Sequence, residues 1–308
     1  MITTVTFNPA IDKTALVEKL VPGALNRLHH VRQDAGGKGI NVSKTLAAIG
    51  KPTVATGFVA GTSGTFICEK LQEYGVKTAF VSIEGMTRTN LKVLNDAMDL
   101  TELNEPGPRC TKADLDRLTE EILALGSDVT VLSGNVGPGV PEDIYYHLTE
   151  KLHEAGCRVI LDADGALFAQ GIKAHPDVIK PNRFELAQYF GMAEDALTPS
   201  VMTELARQLL KESTILCVVS MGSQGSLFVT RDRALLAPAL KIPFQSAVGA
   251  GDAMVAGLAC SLDEGLDLEE TAMLAIALSA GACTTEGTQP AGEEVVSRLK
   301  AQVTWEEI

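Results

Sequence analysis

Strand-like segments alternate with helix-like segments along most of this chain, and this alternation constrains the fold more than any other feature. A β-branched run at residues 2–7 stops at Asn8-Pro9. An amphipathic segment then extends over residues 39–49 and ends at Gly50, which predicts a helix. Because strands that alternate with helices form parallel βαβ units, the chain is predicted to fold as an α/β protein. Its sheet is expected to be mostly parallel and covered by helices on both faces.

The same order recurs further along the chain. Further strands are predicted at residues 52–59, 76–83, 129–132, 158–161, 178–179 and 215–220, and helices at 65–74, 111–125, 142–153, from 182, 201–211, 250–262 and 268–284.

Two segments, residues 13–34 and 87–104, alternate polar and apolar residues without a helix at the expected place. They predict a small β-layer that stands off the main sheet. Ligands of open α/β sheets bind beyond the carboxyl ends of the strands, so a β-layer there would form a lid. Residues 1–308 are therefore interpreted as a single α/β domain with an inserted β lid.

Composition narrows the classes of function. The net charge of -13 and the 5% aromatic content argue against nucleic-acid binding. No apolar stretch approaches the length of a membrane helix, and the N-terminal residues do not resemble a signal peptide. None of the six cysteines forms a C-x-x-C pair, which favours reduced thiols. A cytoplasmic protein without nucleic-acid or membrane partners is expected.

The sharpest motif is Gly249-Ala250-Gly251-Asp252, which opens a helix rich in small residues. The first amides of a helix lack intrahelical partners, so together with the macrodipole they form an anion hole. A carboxylate at this position can accept the proton of an attacking hydroxyl. Asp is also a common helix cap, and the motif alone leaves both interpretations open.

A second glycine motif, Gly36-Gly37-Lys38-Gly39, precedes Asn41 and also opens a predicted helix. It suggests the close approach of an anion or a sugar. Its spacing differs from that of a Walker A loop, and it does not match the dinucleotide-binding fingerprint. A plain flexible loop is the alternative.

Two further motifs follow predicted strands. Asn182 and Glu185 match a capping box after Lys180-Pro181, and they could instead face nucleotide phosphates and hold Mg²⁺ through water. The segment Ser220–Gly225 has two glycines after a buried strand. It could be a plain hairpin or a loop that approaches a nucleotide.

Basic and polar side chains are grouped in the predicted lid. Arg88, Asn90 and Lys92 have period-two spacing and would share one face of a strand, and Arg27 lies in the other lid segment. They could hold a phosphate or form a solvated strand face. Asp12 follows the first strand, where it could bind sugar hydroxyls or cap a turn.

Taken in order, the segments FNPAID, AGGKGINVSKTL, TRTN, KPNRFEL, SMGSQG and VGAGDAMVAG resemble the PfkB family of carbohydrate kinases, which has the ribokinase-like fold. The resemblance covers essentially the whole chain. FNPAID together with R-x-N-x-K in the lid is most similar to the 1-phosphofructokinase and tagatose-6-phosphate kinase branch.

The resemblance implies a role for each motif, with ATP and Mg²⁺ as cofactors. Asp252 would be the catalytic base, with Gly249, Ala250 and Gly251 lining the anion hole. The residues implied for the nucleotide are Lys180, Asn182, Ser220, Met221, Gly222, Ser223, Gln224, Gly225 and Gly251, with Glu185 serving Mg²⁺ through water. The residues implied for the sugar phosphate are Asp12, Arg27, Gly37, Lys38, Asn41, Arg88, Asn90, Lys92, Ser133 and Asn135.

The same resemblance implies a substrate and a partner. The expected reaction converts fructose 1-phosphate to fructose 1,6-bisphosphate, and the lid is expected to form a homodimer. Two departures bear on the substrate: Asn135 and Val136 stand where this branch usually has Ser-Leu, and Ala247 replaces a usual Thr. Tagatose 6-phosphate, another sugar, a nucleoside and a non-catalytic sugar-phosphate sensor are the alternatives. Intact Asp252, Gly251 and Glu185 argue against the sensor, and the basic row argues against the nucleoside.

Overall fold

A computed structural model describes residues 1–97, 99–211 and 213–308. Met98, within the predicted lid segment 87–104, and Glu212 lie outside the described residues. The strands are β1 (Ile2–Thr6), β2 (Ala10–Leu16), β3 (His29–Gly36), β4 (Thr53–Val59), β5 (Lys77–Ser82), β6 (Arg88–Leu94), β7 (Leu100–Asn104), β8 (Val129–Ser133), β9 (Arg158–Asp162), β10 (Val178–Ile179), β11 (Leu216–Ser220), β12 (Ser226–Val229), β13 (Ala234–Ala237) and β14 (Glu306–Glu307). The α-helices are α1 (Lys38–Ala48), α2 (Gly61–Glu73), α3 (Lys112–Ala124), α4 (Ile144–Glu154), α5 (Gly165–Gly171), α6 (Arg183–Phe190), α7 (Pro199–Leu209), α8 (Ala250–Glu264), α9 (Leu268–Ala282) and α10 (Glu293–Lys300).

The main sheet contains ten strands among the described residues, in the order β14-β13-β12-β11-β10-β9-β8-β1-β4-β5. The pairs from β11 to β5 are parallel, and the pairs from β11 to β14 are antiparallel. The predicted α/β fold with a mostly parallel sheet is therefore confirmed.

Each face of this sheet is covered by its own group of helices. On β8 and β9, Val131 and Ile160 point to a core shared with α1, α8 and α9, while Leu132 and Leu161 point to a core shared with α3 to α7. Strands buried on both faces have continuous apolar sequences, which is why they were recognisable without alternation.

A second sheet has four strands in the order β3-β2-β6-β7. The smaller β-layer was predicted, but its strands do not follow the predicted bounds. The first excursion already forms a strand at Ala10 and ends at Gly36, and residues 17–28 between β2 and β3 contain no strand. Asp12 consequently lies inside β2 and not in a turn after the first strand.

Several local predictions differ from the structure. Helix α2 begins at Gly61, four residues before the predicted start at residue 65. The short helix α5, the helix α10 and the antiparallel strands β13 and β14 were not predicted. Strand β12, which follows the Ser220–Gly225 segment, forms a hairpin with β11, one of the two interpretations that the sequence left open, and β13 pairs with β12. None of the helices in the described part of the chain is long and apolar enough to cross a membrane.

Candidate active site

The predicted functional residues meet at the carboxyl ends of the parallel strands. Strands β8, β9 and β10 end at Ser133, Asp162 and Ile179, and the N-termini of α1 and α8 approach the same edge. Ser133 is paired directly with Asp162 in the sheet register. This is the edge at which open α/β sheets bind ligands.

Asp252 lies in the first turn of α8 with its side chain turned inward, and the residue is only 9% exposed. One carboxylate oxygen accepts a hydrogen bond of 2.8 Å from the Asn41 side-chain amide, which joins the two glycine motifs. Burial and the charge of Asp162 raise the pKa of Asp252 to about 6, although Asn41, Lys38 and Lys180 favour the carboxylate. Such an environment suits a general base that works near neutral pH.

Three charged side chains lie beside this carboxylate: Asp162 and Lys180 are buried, and Lys38 is partly exposed. One oxygen of Asp162 is 3.4 Å from the Lys38 ammonium nitrogen and 3.2 Å from that of Lys180. Burial alone would raise the pKa of Asp162, but the two lysines more than offset this and hold it below its ordinary value. Interaction with Asp162 and other carboxylates likewise raises the pKa of Lys38 despite its burial. The Lys38 ammonium group therefore stays charged next to Asp252.

Asp162 was not among the site residues predicted from the sequence. A signal was available, because Asp162 directly follows the buried run Val159–Leu161, whose carboxyl end belongs to the predicted ligand-binding edge.

The start of α8 has the features of an anion site. Gly249 is the N-cap residue with φ 84°, a left-handed conformation that favours glycine, and no side chain caps the helix. A Cβ built on Gly251 would lie 3.7 Å from the Lys180 nitrogen, so this ammonium adjoins the first turn. Ala250 lies between these glycines at the first helical position. Backbone donors, the helix dipole and a buried cation are thus directed to one place.

Asn182 and Glu185 form the capping box that their spacing predicted. The Glu185 N–H donates to Asn182 Oδ1 and the Asn182 N–H donates to Glu185 Oε2, each over 2.8 Å. Burial raises the pKa of Glu185, while the Asn182 N–H, Lys180 and Lys38 oppose the rise. The capping interaction occupies one carboxylate oxygen, and the other can still accept a water molecule.

The segment Ser220–Gly225 forms a hairpin turn next to this capping box. Ser220 pairs with Asn182 in an isolated parallel bridge. The Met221 N–H donates to the Gly225 carbonyl, and residues Gly222–Gln224, which include Ser223, form a 3₁₀ turn. The plain hairpin that the sequence left open is present, and it lies where the start of α6 meets β11.

The small sheet brings polar side chains to the second glycine motif. Asp12 accepts a 3.2 Å hydrogen bond from the Asn90 amide and is 3.6 Å from the Lys92 nitrogen. A Cβ on Gly36 would lie 2.5 Å from the Asp12 carboxyl carbon, so only glycine allows this approach. Gly37, with φ 125°, then begins α1.

The other predicted substrate residues have different positions. Arg88 is half-buried and donates to the backbone carbonyls of Asn8 and Glu105. Arg27 is exposed in the connection between β2 and β3, and Asn135 is exposed after β8 with its Oδ1 accepting from the next backbone N–H. Among the described residues, no hydrogen bond or ion pair joins Arg27 or Asn135 to the buried charges.

Buried polar atoms without a partner concentrate at this site. Of seven such atoms among the described residues, five belong to residues at this edge or on the adjoining strand of the small sheet: Thr6, Asn41, Asn90, Ser133 and Asp162. Buried polar groups are rarely left unpaired. Their concentration indicates that this region binds a polar ligand.

The fold and this arrangement of glycine turns, a buried carboxylate and two neighbouring lysines are those of a carbohydrate kinase. The sequence profile of the pfkB family of carbohydrate kinases matches residues 5–294, and the chain belongs to this family. The 1-phosphofructokinase of Rhodobacter capsulatus is 37% identical over 98% of this chain and 96% of its own length. The 1-phosphofructokinase of Xanthomonas campestris pv. campestris is 40% identical over 95% of this chain and 96% of its own length.

A solved structure has the same fold. The phosphofructokinase-2 of Escherichia coli in complex with substrates and products superimposes with a TM-score of 0.91 at 26% identity, covering 98% of each chain. The predicted family and ribokinase-like fold are therefore confirmed.

Proposed function

We propose that this protein transfers the γ-phosphoryl group of ATP to fructose 1-phosphate and forms fructose 1,6-bisphosphate. The observation that carries the proposal is the buried Asp252 carboxylate, which lies in the first turn of an uncapped helix and next to the ammonium groups of Lys38 and Lys180. A base, an anion site and fixed cations in one place are what phosphoryl transfer to a hydroxyl requires. The high identity to relatives named 1-phosphofructokinase supports the choice of sugar phosphate.

In the proposed mechanism, Asp252 accepts the proton of the sugar 6-hydroxyl while the hydroxyl oxygen attacks the γ-phosphorus in line. A new P–O bond forms to the sugar, the bond to the β,γ-bridging oxygen breaks, and ADP leaves. The amides of Gly249, Ala250 and Gly251, with Lys180, stabilise the charge on the transferring group. Catalysis then depends mainly on positioning and electrostatics.

Asn182, Glu185 and the Ser220–Gly225 hairpin are proposed to hold the nucleotide. Mg²⁺, when bound, would neutralise phosphate charge. Among the described residues no cluster of three or more His, Cys, Asp or Glu could form a protein-only metal site. One carboxylate with a free oxygen, at Glu185, fits a magnesium ion that keeps its waters and binds mainly to substrate phosphates.

The small sheet is proposed to act as a lid that selects a phosphorylated sugar. Asp12, which lies against Gly36, and Asn90, which donates to Asp12, would bind sugar hydroxyls. The basic side chains of Arg88 and Lys92 on β6 would hold the existing phosphate, with Arg27 joining them from the β2–β3 connection when the lid closes. Closure would also exclude water, which limits hydrolysis of ATP.

We infer a homodimer formed through the same sheet. Apolar side chains are exposed on β3, on β7 and in the connection before β3: Val21, Leu25, Leu28, Val31, Leu100 and Leu103. An exposed apolar set of this size is typical of an interface.

A cytoplasmic location is also inferred, because all six cysteines are free thiols, which suits a reducing compartment.

Tagatose 6-phosphate is the second candidate substrate, since Asn135 departs from the residue usual in this branch and is exposed just after Ser133 at the end of β8. A coupled ADP-release assay with fructose 1-phosphate, fructose 6-phosphate, tagatose 6-phosphate and free fructose tests the proposal. The highest kcat/KM is expected with fructose 1-phosphate. A higher value for another phosphosugar would contradict the substrate assignment, and turnover of none would contradict the kinase function and favour a sensor.

A further inference from the structure

Lys44 is a buried cation that the proposed mechanism does not use. It lies on α1, one turn after Asn41, and is only 1% exposed. Its ammonium group donates to the Ala35 carbonyl over 3.0 Å and to the Thr288 hydroxyl over 3.0 Å, and it is 5.9 Å from the centre of the Tyr74 ring. The ammonium group therefore has two hydrogen-bond acceptors and lies near an aromatic ring.

The two acceptors adjoin the two glycine motifs. Ala35 directly precedes Gly36-Gly37 at the end of β3, where the small sheet meets the main domain. Thr288 packs on the anion-hole turn, since a Cβ built on Gly249 would lie 3.6 Å from the Thr288 Cα. One side chain thus spans the turn that faces the sugar and the turn that begins α8.

A lysine is a costly choice if only packing is required at this position. Burying an ammonium group is unfavourable, and an unbranched apolar side chain of similar length would fill the same volume. Burial lowers the pKa of Lys44 to about 8, although Asp34, Asp12 and Asp252 favour the charged form. The directional contacts, and not the volume, therefore account for this residue.

We propose that Lys44 is a positioning residue that fixes the anion-hole turn at Gly249 relative to the sugar-facing turn at Gly36-Gly37. The inference rests on the proposed phosphoryl transfer, in which the attacking hydroxyl and the transferring group must be held in line between these turns. Asn41 joins the same helix to Asp252, so α1 positions the base and both turns together.

Lys44→Met tests the inference, because methionine keeps most of the volume and removes the donor. We expect kcat to fall by about tenfold to a hundredfold, as small misplacements of reacting groups cost rates of this order, and the KM for the sugar phosphate to rise. Thr288→Val removes only the contact toward Gly249 and should lower kcat with little change in that KM. Lys70→Met is the matched control, because Lys70 lines the same cavity of about 170 Å³ but has a partly exposed side chain that is paired with Glu73.

Hydrogen exchange of the ligand-free proteins separates this inference from the proposed function. Faster amide exchange at residues 35–41 and at 249–253 in Lys44→Met, but not in Lys70→Met, is expected whatever the substrate. If wild type phosphorylates none of the sugars yet both turns show this change, the proposed function fails, but the inference that Lys44 fixes the two turns is retained. Unchanged exchange at either turn, or a Lys44→Met protein that is less stable but has normal kcat and KM, would overturn the inference. Thr288→Val decides the matter if Lys44→Met does not fold, because normal kcat in that variant would also overturn it.

Discussion

The proposed function depends on Asp252, and the surroundings of this residue disfavour its ionised form. A buried carboxylate near a second carboxylate is destabilised in its ionised form, and only the Asn41 amide and two neighbouring lysines compensate. Unfavourable placement of this kind is more readily explained by a chemical role than by a contribution to folding. A capping role is not supported, because no side chain caps α8.

The pKa of Asp252 predicts a pH dependence of activity. The base must be deprotonated, and its pKa is raised to about 6. The kcat/KM for the sugar phosphate should therefore be constant above neutral pH and fall as the pH decreases through about 6. The substrate phosphate titrates in the same range, so its pKa, measured by ³¹P titration, must first be taken into account. A corrected profile that is flat down to pH 5 would contradict the assignment of the base.

Asp162 should be required for stability, because it is buried and is the shared counter-ion of the buried Lys180 and the partly exposed Lys38. Removing one partner of a buried pair leaves charge uncompensated and typically costs about 3–5 kcal/mol. Asp162→Asn is thus expected to lower the free energy of unfolding, measured by urea denaturation, by an amount of this order. Asp164→Asn is the control, since Asp164 is exposed two residues later. Equal stability of the two variants would show that the Asp162 pairs contribute little.

At the scale of elements, the regular βαβ part of the fold was predictable and the irregular part was not. Buried strands such as β8 and capped helices such as α3 and α6 carry local signals, and their predicted bounds agree with the structure within two residues. The small sheet was recognised only as a β-layer, since its strand ends depend on pairing between β2 and β6, which lie more than 70 residues apart.

The site was predictable to the same extent. Glycine turns and the capping box are local patterns, so Asp252, Lys38 and Asn182 could be identified from sequence. The position of Asp162 at the end of a buried strand is a local signal, but its contact with Lys38 and the contact of Lys44 with Thr288 join residues more than 100 positions apart. No local pattern specifies such contacts.

Strand β6 carries the prediction on substrate binding. Lys92→Gln should raise the KM for the sugar phosphate at least about tenfold with a smaller effect on kcat, because a charge-assisted phosphate contact contributes about 1.5–3 kcal/mol. Lys13→Gln is the control, since Lys13 lies next to Asp12 on β2 and alternation places it on the opposite face of the sheet. Steady-state kinetics at saturating ATP measure both constants. An equal effect of the two substitutions would remove Lys92 from the substrate site.

At the scale of the whole molecule, the lid is expected to join two copies. Leu103 is 56% exposed on β7, and Leu103→Asp would place a charge within the inferred interface. Sedimentation velocity should show a dimer for wild type and a shift toward monomer for this variant. Ile215→Asp is the control, because Ile215 is also exposed but directly precedes β11 in the main sheet and lies outside the small sheet. A monomeric wild-type protein would contradict the inferred dimer.

Turnover of fructose 1-phosphate by wild type and by Asp252→Asn, compared in the same coupled assay, tests the central claim most directly. Asparagine keeps the shape of the side chain and can still accept the Asn41 hydrogen bond, but it cannot take a proton. We expect the kcat of Asp252→Asn to be about a hundredfold to ten-thousandfold below that of wild type, which is the contribution of general-base catalysis. We also expect that the variant binds ATP and is at least as stable as wild type at pH 7.5, because a buried charge with a raised pKa has been removed. Near-normal turnover by Asp252→Asn, in protein shown to be folded, would contradict the claim that Asp252 is the catalytic base.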